Sequence, residues 1–288
     1  MYAAINGTRI YFDVEGSGLV PHGGAMEERE VCFVLHGGPG MDHSYFKPWL
    51  SPLTDTFQLV YVDHRSTGRS DRAPLETCTI EQMADDLEAL REYLGLEKVT
   101  VLGNSFGGMW ALNYAVRHPE NLNRLILVTT SASHEFYPAA TAEAEKKGTP
   151  EQIKVMPDVF EGRIETSEEF AKWWDIMLPL YFYDYDEEIG ANQNSRGESN
   201  PQVASYMFRE VMPKYDVRTQ LPSIQVPTLV VSGRHDWVTP VGESEEIARG
   251  IPNSQLEIFE KSGHMPFIEE QDTFNALVRD FVTKSREA

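Results

Sequence analysis

Short runs rich in β-branched and aromatic residues recur along the chain, each bounded by turn-forming residues. From the second run onward they are apolar at almost every position, which is typical of strands buried on both faces. The predicted strands are Thr8 to Val14, Val31 to Leu35, Phe57 to Val62, Lys98 to Leu102, Arg124 to Val128, Thr228 to Val231 and Leu256 to Phe259.

Three amphipathic helical patterns lie between or after these runs. The first follows Thr79, which with Gln82 three residues later suits a capping box, and Gly95 can end it. The second follows Ser105 and the third closes the chain. The apolar stripes are Met83, Leu87, Leu90 and Leu94; Trp110, Ala111 and Tyr114; and Phe274, Leu277, Val278 and Phe281. Strands alternating with helices predict an α/β fold with a mostly parallel central sheet flanked by helices.

The alternation breaks between about Ser133 and Gln220, where helical spacing continues without a convincing strand. We therefore predict an inserted helical cap over residues 133–219 and a discontinuous core formed by residues 1–132 and 220–288.

The predicted cap is acidic and aromatic. Between His134 and Asn200 there are fifteen Asp and Glu residues against six Lys and Arg. We expect most of these charges to form a solvated face and most of the aromatic residues to form the cap's own core. The aromatic residues are Trp173, Trp174, Tyr181, Phe182, Tyr183 and Tyr185.

The net charge of the chain argues against anionic binding partners. The 288 residues include 25 Lys and Arg against 45 Asp and Glu, a formal net charge of -20 that repels nucleic acid and anionic lipid. No apolar run approaches the roughly 18 residues of a membrane span, and the first residues lack a signal-peptide pattern. Cys32 and Cys78 suggest neither a disulfide framework nor a metal site. We expect a cytoplasmic protein whose ligands are cationic or neutral and which needs no cofactor or metal ion.

The segment Gly103-Asn104-Ser105-Phe106-Gly107 is a G-x-S-x-G pentapeptide between a predicted strand and a predicted helix. A sharp turn at this place pushes the serine hydroxyl above the sheet and leaves no room for side chains at the flanking positions, which selects glycine. The N–H groups at the start of the following helix point at the same place. Ser105 is therefore the candidate nucleophile.

A serine hydroxyl needs a base, and in this arrangement the chain order is nucleophile, acid, histidine. Asp236 lies just past the strand that ends at Val231, and His264 follows the strand that ends at Phe259. Both loops open on the sheet edge where ligands of open α/β sheets bind. We predict Asp236 as the acid and His264 as the base.

The run His36-Gly37-Gly38-Pro39-Gly40 follows the strand Val31 to Leu35. Its glycines let backbone N–H groups turn toward a substrate unshielded by side chains, as an oxyanion hole requires. We expect the N–H groups of Gly38 and Phe106 to hold the oxyanion.

From about Thr8 to its end, the chain resembles the α/β-hydrolase superfamily, and the glycine run together with Asp63-His64-Arg65-Ser66-Thr67-Gly68-Arg69-Ser70 resembles the proline iminopeptidase branch. The resemblance implies an α/β-hydrolase fold in which Ser105, Asp236 and His264 take the triad positions. It also implies that the segment after Asp63 is structural, with Asp63 or Arg65 in a buried ion pair.

The function that this resemblance implies is that of a metal-free serine hydrolase that cleaves small acyl compounds through an acyl-enzyme. Within this class we favour an iminopeptidase-like enzyme, which would act on N-terminal residues or on amino-acid amides and esters, so that its substrate is a small molecule or a short peptide. A carboxylesterase or lactonase for small neutral substrates has the same machinery, and a non-catalytic binding module of the same fold is the third hypothesis. A haloalkane dehalogenase is disfavoured because its nucleophile would be Asp rather than Ser105.

Two departures from the branch leave the substrate open. Phe106 stands where the branch often has Trp or Tyr, and Asp236 is followed by the neutral Trp237 rather than by an acid that could hold a substrate amino group. We expect Trp237 and Gly37 to contact the substrate. Acidic residues of the cap that could hold the amino group instead are Glu187, Glu188, Glu198 and Glu210.

Overall fold

A twisted sheet of eight strands runs through the molecule, which a computed structural model describes for residues 1–194 and 197–287. The described residues form ten strands, eight in this sheet and two in a separate hairpin. They are β1 (Tyr2–Ile5), β2 (Thr8–Glu15), β3 (Leu19–His22), β4 (Ala25–Glu28), β5 (Glu30–Leu35), β6 (Phe57–Asp63), β7 (Val99–Asn104), β8 (Leu122–Val128), β9 (Thr228–Gly233) and β10 (Ser254–Phe259). The sheet order is β1-β2-β6-β5-β7-β8-β9-β10, and β3 pairs with β4 in a separate hairpin.

Six neighbouring strands, from β6 to β10 in that order, pair in parallel, while β1 and β2 extend the sheet antiparallel. The mostly parallel sheet predicted from the sequence is confirmed, and each predicted run lies within or at the edge of an observed strand. The prediction missed β1 and the hairpin of β3 and β4, whose residues are largely exposed and so lack the continuous apolar pattern of a buried strand.

Ten α-helices within the described residues connect and cover the strands. They are α1 (Ile80–Tyr93), α2 (Phe106–Arg117), α3 (Tyr137–Lys147), α4 (Pro150–Phe160), α5 (Ser167–Met177), α6 (Glu187–Asn194), α7 (Pro201–Tyr206), α8 (Val241–Gly250), α9 (Pro266–Glu269) and α10 (Gln271–Glu287). In the described part of the chain, no helix is both long and apolar enough to cross a bilayer.

The helices cover both faces of the sheet because buried strands alternate their side chains between the faces. Phe33 on β5 packs in a core with α1, α2 and α8, whereas Val34 points into a second core with α10. The three amphipathic stripes predicted from the sequence supply these contacts. Trp110 and Phe274, on α2 and α10, are both fully buried.

Local signals set the ends of α1. The Thr79 hydroxyl accepts from the Gln82 N–H at 3.1 Å, as predicted, and Gly95 ends the helix with φ +69°. The Gln82 side chain, however, donates to Asp86 at 3.2 Å. The Thr79 N–H donates to the Thr77 carbonyl at 3.0 Å, so the reciprocal contact of a capping box does not form and Thr79 caps the helix through its hydroxyl alone.

Helices α3 to α7 lie between β8 and β9, in the segment for which the sequence predicts a cap. Complete capping boxes start α4 at Thr149 and α5 at Thr166. The aromatic residues of this segment do more than fill its core. Trp173, Trp174 and Tyr181 border the cavity described below, because the helices pack over the carboxyl ends of the strands.

The end of β6 and the segment that follows it hold a buried ion pair and a buried contact between a carboxylate and an imidazole. Arg65 makes a two-pronged contact with Asp86 of α1, with Nε to Oδ2 at 2.6 Å and Nη2 to Oδ1 at 2.7 Å. Asp63 accepts from the His43 ring at 2.6 Å. The segment thus joins β6 to α1 and to the loop after β5.

Asp86→Ala should lower the free energy of unfolding by about 3–5 kcal/mol, because it leaves the Arg65 guanidinium buried without its partner. Urea unfolding followed by circular dichroism measures this loss. Asp71→Ala is the matched control: it breaks the equally two-pronged but exposed contact with Arg9 and should change stability little. Equal effects of the two substitutions would contradict the structural role of the buried pair.

Candidate active site

Ser105 occupies a strained turn between β7 and α2, with φ 55° and ψ −123°. A non-glycine residue rarely adopts a positive φ, so the surrounding structure must hold this one in place. Its N–H donates to the carbonyl of Val128 at 2.9 Å, and its carbonyl accepts from the Thr130 hydroxyl at 2.6 Å. Both partners belong to β8 or the residues just after it, so the neighbouring strand fixes the turn.

The two glycines of the pentapeptide are needed for packing. A Cβ added at Gly103 would lie 2.3 Å from the Gly107 carbonyl oxygen, and one added at Gly107 would lie 2.1 Å from the carbonyl oxygen of Leu35. Because these obstacles are backbone atoms, no side-chain movement could relieve them. The start of α2 therefore rests directly on the end of β5.

Asp236 and His264 meet above the carboxyl ends of β9 and β10. Nδ1 of His264 lies 2.8 Å from Oδ2 of Asp236, and both side chains are buried. The carboxylate also accepts from the N–H groups of Val238 and Thr239 and from the Thr239 hydroxyl at 2.8 to 3.2 Å. These donors hold the carboxylate in one orientation, and they leave Nε2 of the histidine for another partner.

The glycine run after β5 lies against the serine. A Cβ added at Gly37 would be 3.0 Å from the Cβ of Ser105. The Gly37 N–H donates to the Tyr45 hydroxyl at 2.7 Å, and this hydroxyl donates to Oδ1 of Asn104 at 2.7 Å. Since the Gly37 N–H is already engaged, Gly38, with φ +125°, is the residue of this run whose N–H suits the predicted oxyanion hole.

The serine, the histidine and the glycine run all border one cavity. It is bordered by Ser105 and His264, and by Gly37, Gly38 and Phe106, so the structure brings together five of the residues predicted from the sequence. Asp236 lies behind His264. Phe106 is the first residue of α2, a position whose N–H has no partner within the helix.

The wall of this cavity is aromatic and uncharged. Among its described lining residues none is Asp, Glu, Lys or Arg, and His264 is the one histidine. The aromatic lining residues are Tyr45, Phe106, Phe136, Phe160, Phe170, Trp173, Trp174, Tyr181 and Phe208. Such a lining suits an apolar group that is held by contact area rather than by ion pairs.

Trp237 is fully buried and is absent from the described lining of the cavity. Its indole packs edge to face on Tyr181, with ring centroids 5.5 Å apart, and lies 6.0 Å from the ring of Phe160. Val238 and Thr239, which follow it, border the cavity instead. Trp237 therefore supports two aromatic lining residues from behind.

The four acidic residues proposed for the cap fall outside the cavity. Glu187 and Glu188 are exposed on α6, and Glu210 borders a distant cleft beside Lys214. Glu198 borders a second cavity of about 320 Å³, together with Asp42 and Asp175.

The second cavity adjoins the first. Four residues border both of them: Met41, Tyr45, Phe170 and Trp174. The site thus has an uncharged chamber at the serine and an acidic one beside it.

Sequence reasoning missed several residues of the site. Asn104 lies within the pentapeptide and donates to the Thr129 hydroxyl at 2.7 Å, while Thr239 follows Asp236 by three residues. Both residues lie within three positions of a predicted triad residue in the chain, and this could have marked them as part of the site. Tyr45 and Tyr181 are brought in from distant segments, and no local pattern indicates them. Among the described residues, no group of three His, Cys, Asp or Glu side chains is arranged to hold a metal ion.

Residues 32–271 match the family model for the alpha/beta hydrolase fold, and the chain belongs to this family. Within the family it falls in the proline iminopeptidase-like branch. It is 30% identical to the proline iminopeptidase PfmaB of Pestalotiopsis fici, over 98% of this chain and 99% of that relative.

Solved structures agree on the fold. An alpha/beta fold family hydrolase from Bacillus anthracis str. Sterne superposes with a TM-score of 0.79 at 25% identity, over 98% of both chains. The enol-lactonase from Burkholderia xenovorans LB400 gives a TM-score of 0.75 at 25% identity, over 98% of this chain and 100% of that one. The chain is therefore similar to hydrolases with different substrates.

Gly107→Ala should destabilise the protein by at least about 1–3 kcal/mol and displace the turn at Ser105, because the new methyl group overlaps the Leu35 carbonyl. Thermal unfolding and reaction with a serine-directed probe measure the two effects. Gly242→Ala is the control: it meets no atom within 4 Å, lies in α8, and should be neutral or stabilise by up to about 1 kcal/mol. A Gly107→Ala protein with unchanged stability and reactivity would refute the packing argument.

Proposed function

We propose that this protein is a serine hydrolase that cleaves small neutral esters or lactones with an apolar acyl group, through an acyl-enzyme on Ser105. One observation carries the proposal. The strained Ser105, the His264–Asp236 pair and the glycine-rich loop meet at one cavity, whose described lining is aromatic and uncharged.

Proton transfer in this proposal follows from the hydrogen bonds of His264. Asp236 occupies Nδ1, so Nε2 is the atom that takes the Ser105 proton as the serine oxygen attacks the carbonyl carbon. The N–H groups of Gly38 and Phe106 would then donate to the oxyanion. The imidazolium returns the proton to the departing alkoxide, which leaves the acyl group on Ser105.

The second half-reaction repeats these transfers with water. Nε2 takes a proton from a water molecule, whose oxygen attacks the acyl carbon, and the same proton restores the Ser105 hydroxyl as the acid leaves. Asp236 holds the imidazole in one orientation and stabilises the imidazolium that forms in each half-reaction. Its buried contacts with the N–H groups of Val238 and Thr239 support this role.

The uncharged cavity wall favours a neutral substrate. A substrate ammonium in this chamber would lose its hydration and meet no carboxylate among the described lining residues, which is energetically costly. An apolar chain or ring would instead gain contact with the surrounding indole and phenyl rings.

An iminopeptidase-like activity is the second candidate. It is favoured by the similarity to the proline iminopeptidase of Pestalotiopsis fici and by the acidic side chains of the adjoining cavity, Asp42, Asp175 and Glu198. A substrate that reaches from the serine into that cavity would bring its amino group to these carboxylates.

Ser105→Ala should abolish covalent labelling by a fluorophosphonate and reduce turnover by about 10⁴-fold or more, because no other hydroxyl in this proposal attacks the substrate. Mass spectrometry of the labelled protein and steady-state kinetics provide the measurements. Ser223→Ala, at an exposed serine far along the chain, is the matched control and should leave both unchanged. Retention of a tenth of the wild-type activity would refute the role of Ser105, and a protein that never labels would favour the non-catalytic hypothesis.

A pair of substrates separates the two candidate activities. A p-nitrophenyl ester of an amino acid with its amine acetylated should be cleaved at least as fast as the same ester with the amine free, because the uncharged chamber accepts the neutral group better. If the amine is instead held by a carboxylate, a charge-assisted hydrogen bond of about 1.5 to 3 kcal/mol would make the free amine roughly 10- to 150-fold better in kcat/KM. That second result would replace the esterase proposal with the iminopeptidase one.

A further inference from the structure

The cap touches the core directly at the loop that carries His264. The His264 N–H donates to the carbonyl of Tyr181 at 2.7 Å, and the Tyr181 ring lies edge to face on the imidazole at 5.4 Å. A Cβ added at Gly263 would lie 2.4 Å from the same carbonyl oxygen, so the two backbones are in contact. The position of His264 therefore depends on the cap segment Tyr181–Tyr183.

Glu269, the last residue of α9, joins the same two segments through its carboxylate. Oε1 accepts from the Tyr183 N–H at 2.6 Å, and Oε2 accepts from the Gly263 N–H at 2.7 Å. One oxygen thus binds the cap and the other binds the residue that precedes His264. The Glu269 side chain is partly buried, and of its two contacts the one with the Gly263 N–H is the more shielded from water.

We propose that Glu269 is a positioning residue: its carboxylate ties the His264 loop to the cap segment Tyr181–Tyr183 and so holds the histidine where it can accept the Ser105 proton. The inference rests on the proposed function, in which His264 is the general base. It adds a residue outside the triad on which the reactivity of the serine depends.

The two hydrogen bonds that Glu269 accepts, from Tyr183 and from Gly263, form a bridge that needs the ionised carboxylate. Both oxygens face N–H donors, so a protonated Glu269 would turn one O–H toward an N–H and lose one of the two bonds. Burial, with a smaller contribution from the charge of Asp236, raises the pKa of Glu269 from 4.5 to about 7. The bridge should therefore be complete above about pH 7 and broken on one side below it.

Several ionisable groups belong to the elements packed around Glu269 and set its charge environment. Asp236 and His235 follow β9, and Lys261 and His264 follow β10. The cap contributes Tyr183 and Asp184, and Glu270 lies beside it in the chain, bonded to the Lys261 N–H and the Ser262 hydroxyl. The negative charges of this set outnumber the positive ones when His235 and His264 are neutral.

The test compares the second-order rate of fluorophosphonate labelling of Ser105 between pH 5.5 and 8.5 in the wild type, Glu269→Gln and Glu260→Gln. The amide introduced by Glu269→Gln can accept from only one of the two N–H groups, so this variant resembles the protonated wild type at every pH. We expect it to label about tenfold more slowly at pH 8, with the ratio of the two rates falling toward one at pH 5.5. Both proteins keep Ser105, Asp236 and His264, so the ratio reports the change at position 269.

Glu260→Gln is the matched control. It removes one negative charge from the turn after β10, where Glu260 is exposed and pairs with Arg234, and it should label like the wild type. A ratio between wild type and Glu269→Gln that stays constant with pH, or equal rates at pH 8, would overturn the positioning role. Failure of the wild type to label, or labelling of Ser105→Ala, would overturn the proposed function instead.

Thermal unfolding provides an independent measurement. Because the pKa of Glu269 is higher in the folded protein than in the unfolded chain, its contribution to stability is full below about pH 4.5 and is lost as the pH rises to about 7. The Tm of Glu269→Gln minus that of the wild type should therefore increase from pH 5 to pH 8, while activity relative to the wild type decreases. A Tm difference that does not change with pH would contradict the raised pKa of Glu269.

Glu269→Asp, which keeps a carboxylate, replaces Glu269→Gln in the labelling assay if the amide variant does not fold. The ratio of its labelling rate to that of the wild type should then depend on pH.

Discussion

The contact between the backbones of β5, β7 and α2 is the constraint on which the site depends. Gly107 lies against the carbonyl of Leu35, and Gly103 lies against Gly107, so α2 begins closer to the sheet than any side chain would allow. This approach forces Ser105 into a positive φ, and hydrogen bonds from β8 hold it there. The fully buried parallel strands supply the rigidity that keeps such strain from relaxing.

The remaining parts of the site are arranged around this fixed point. Parallel strands end at a common edge, so the loops after β5, β9 and β10 bring the glycine run, Asp236 and His264 to the serine. The core elements thereby define the chemistry, while the helices between β8 and β9 define the chamber. The aromatic residues of those helices border a chamber whose described lining carries no carboxylate, and the acidic Asp42, Asp175 and Glu198 border the neighbouring cavity.

The predicted cap segment contacts the histidine loop through its backbone. The carbonyl of Tyr181 and the carboxylate of Glu269 link the cap segment to the residues around His264. A change in the cap can thus reach the histidine without altering the three predicted triad residues themselves. Such a link couples the helices that form the aromatic wall of the cavity to the loop that carries His264.

Sequence by itself determined those features that depend on local chemistry. Continuous apolar runs predicted the buried strands, and the pentapeptide located the turn at Ser105, since both follow from a few neighbouring residues. Chain order then singled out Asp236 and His264. Tertiary structure alone decided where side chains without a local pattern would lie. Trp237 lies behind the cavity wall, and Tyr45 and Tyr181 border the cavity. Glu269 accepts a hydrogen bond from Tyr183, which is 86 residues away in the chain. The physical reason is that these positions are fixed by packing between segments distant in sequence, and the energy of such packing is not contained in any one of the segments.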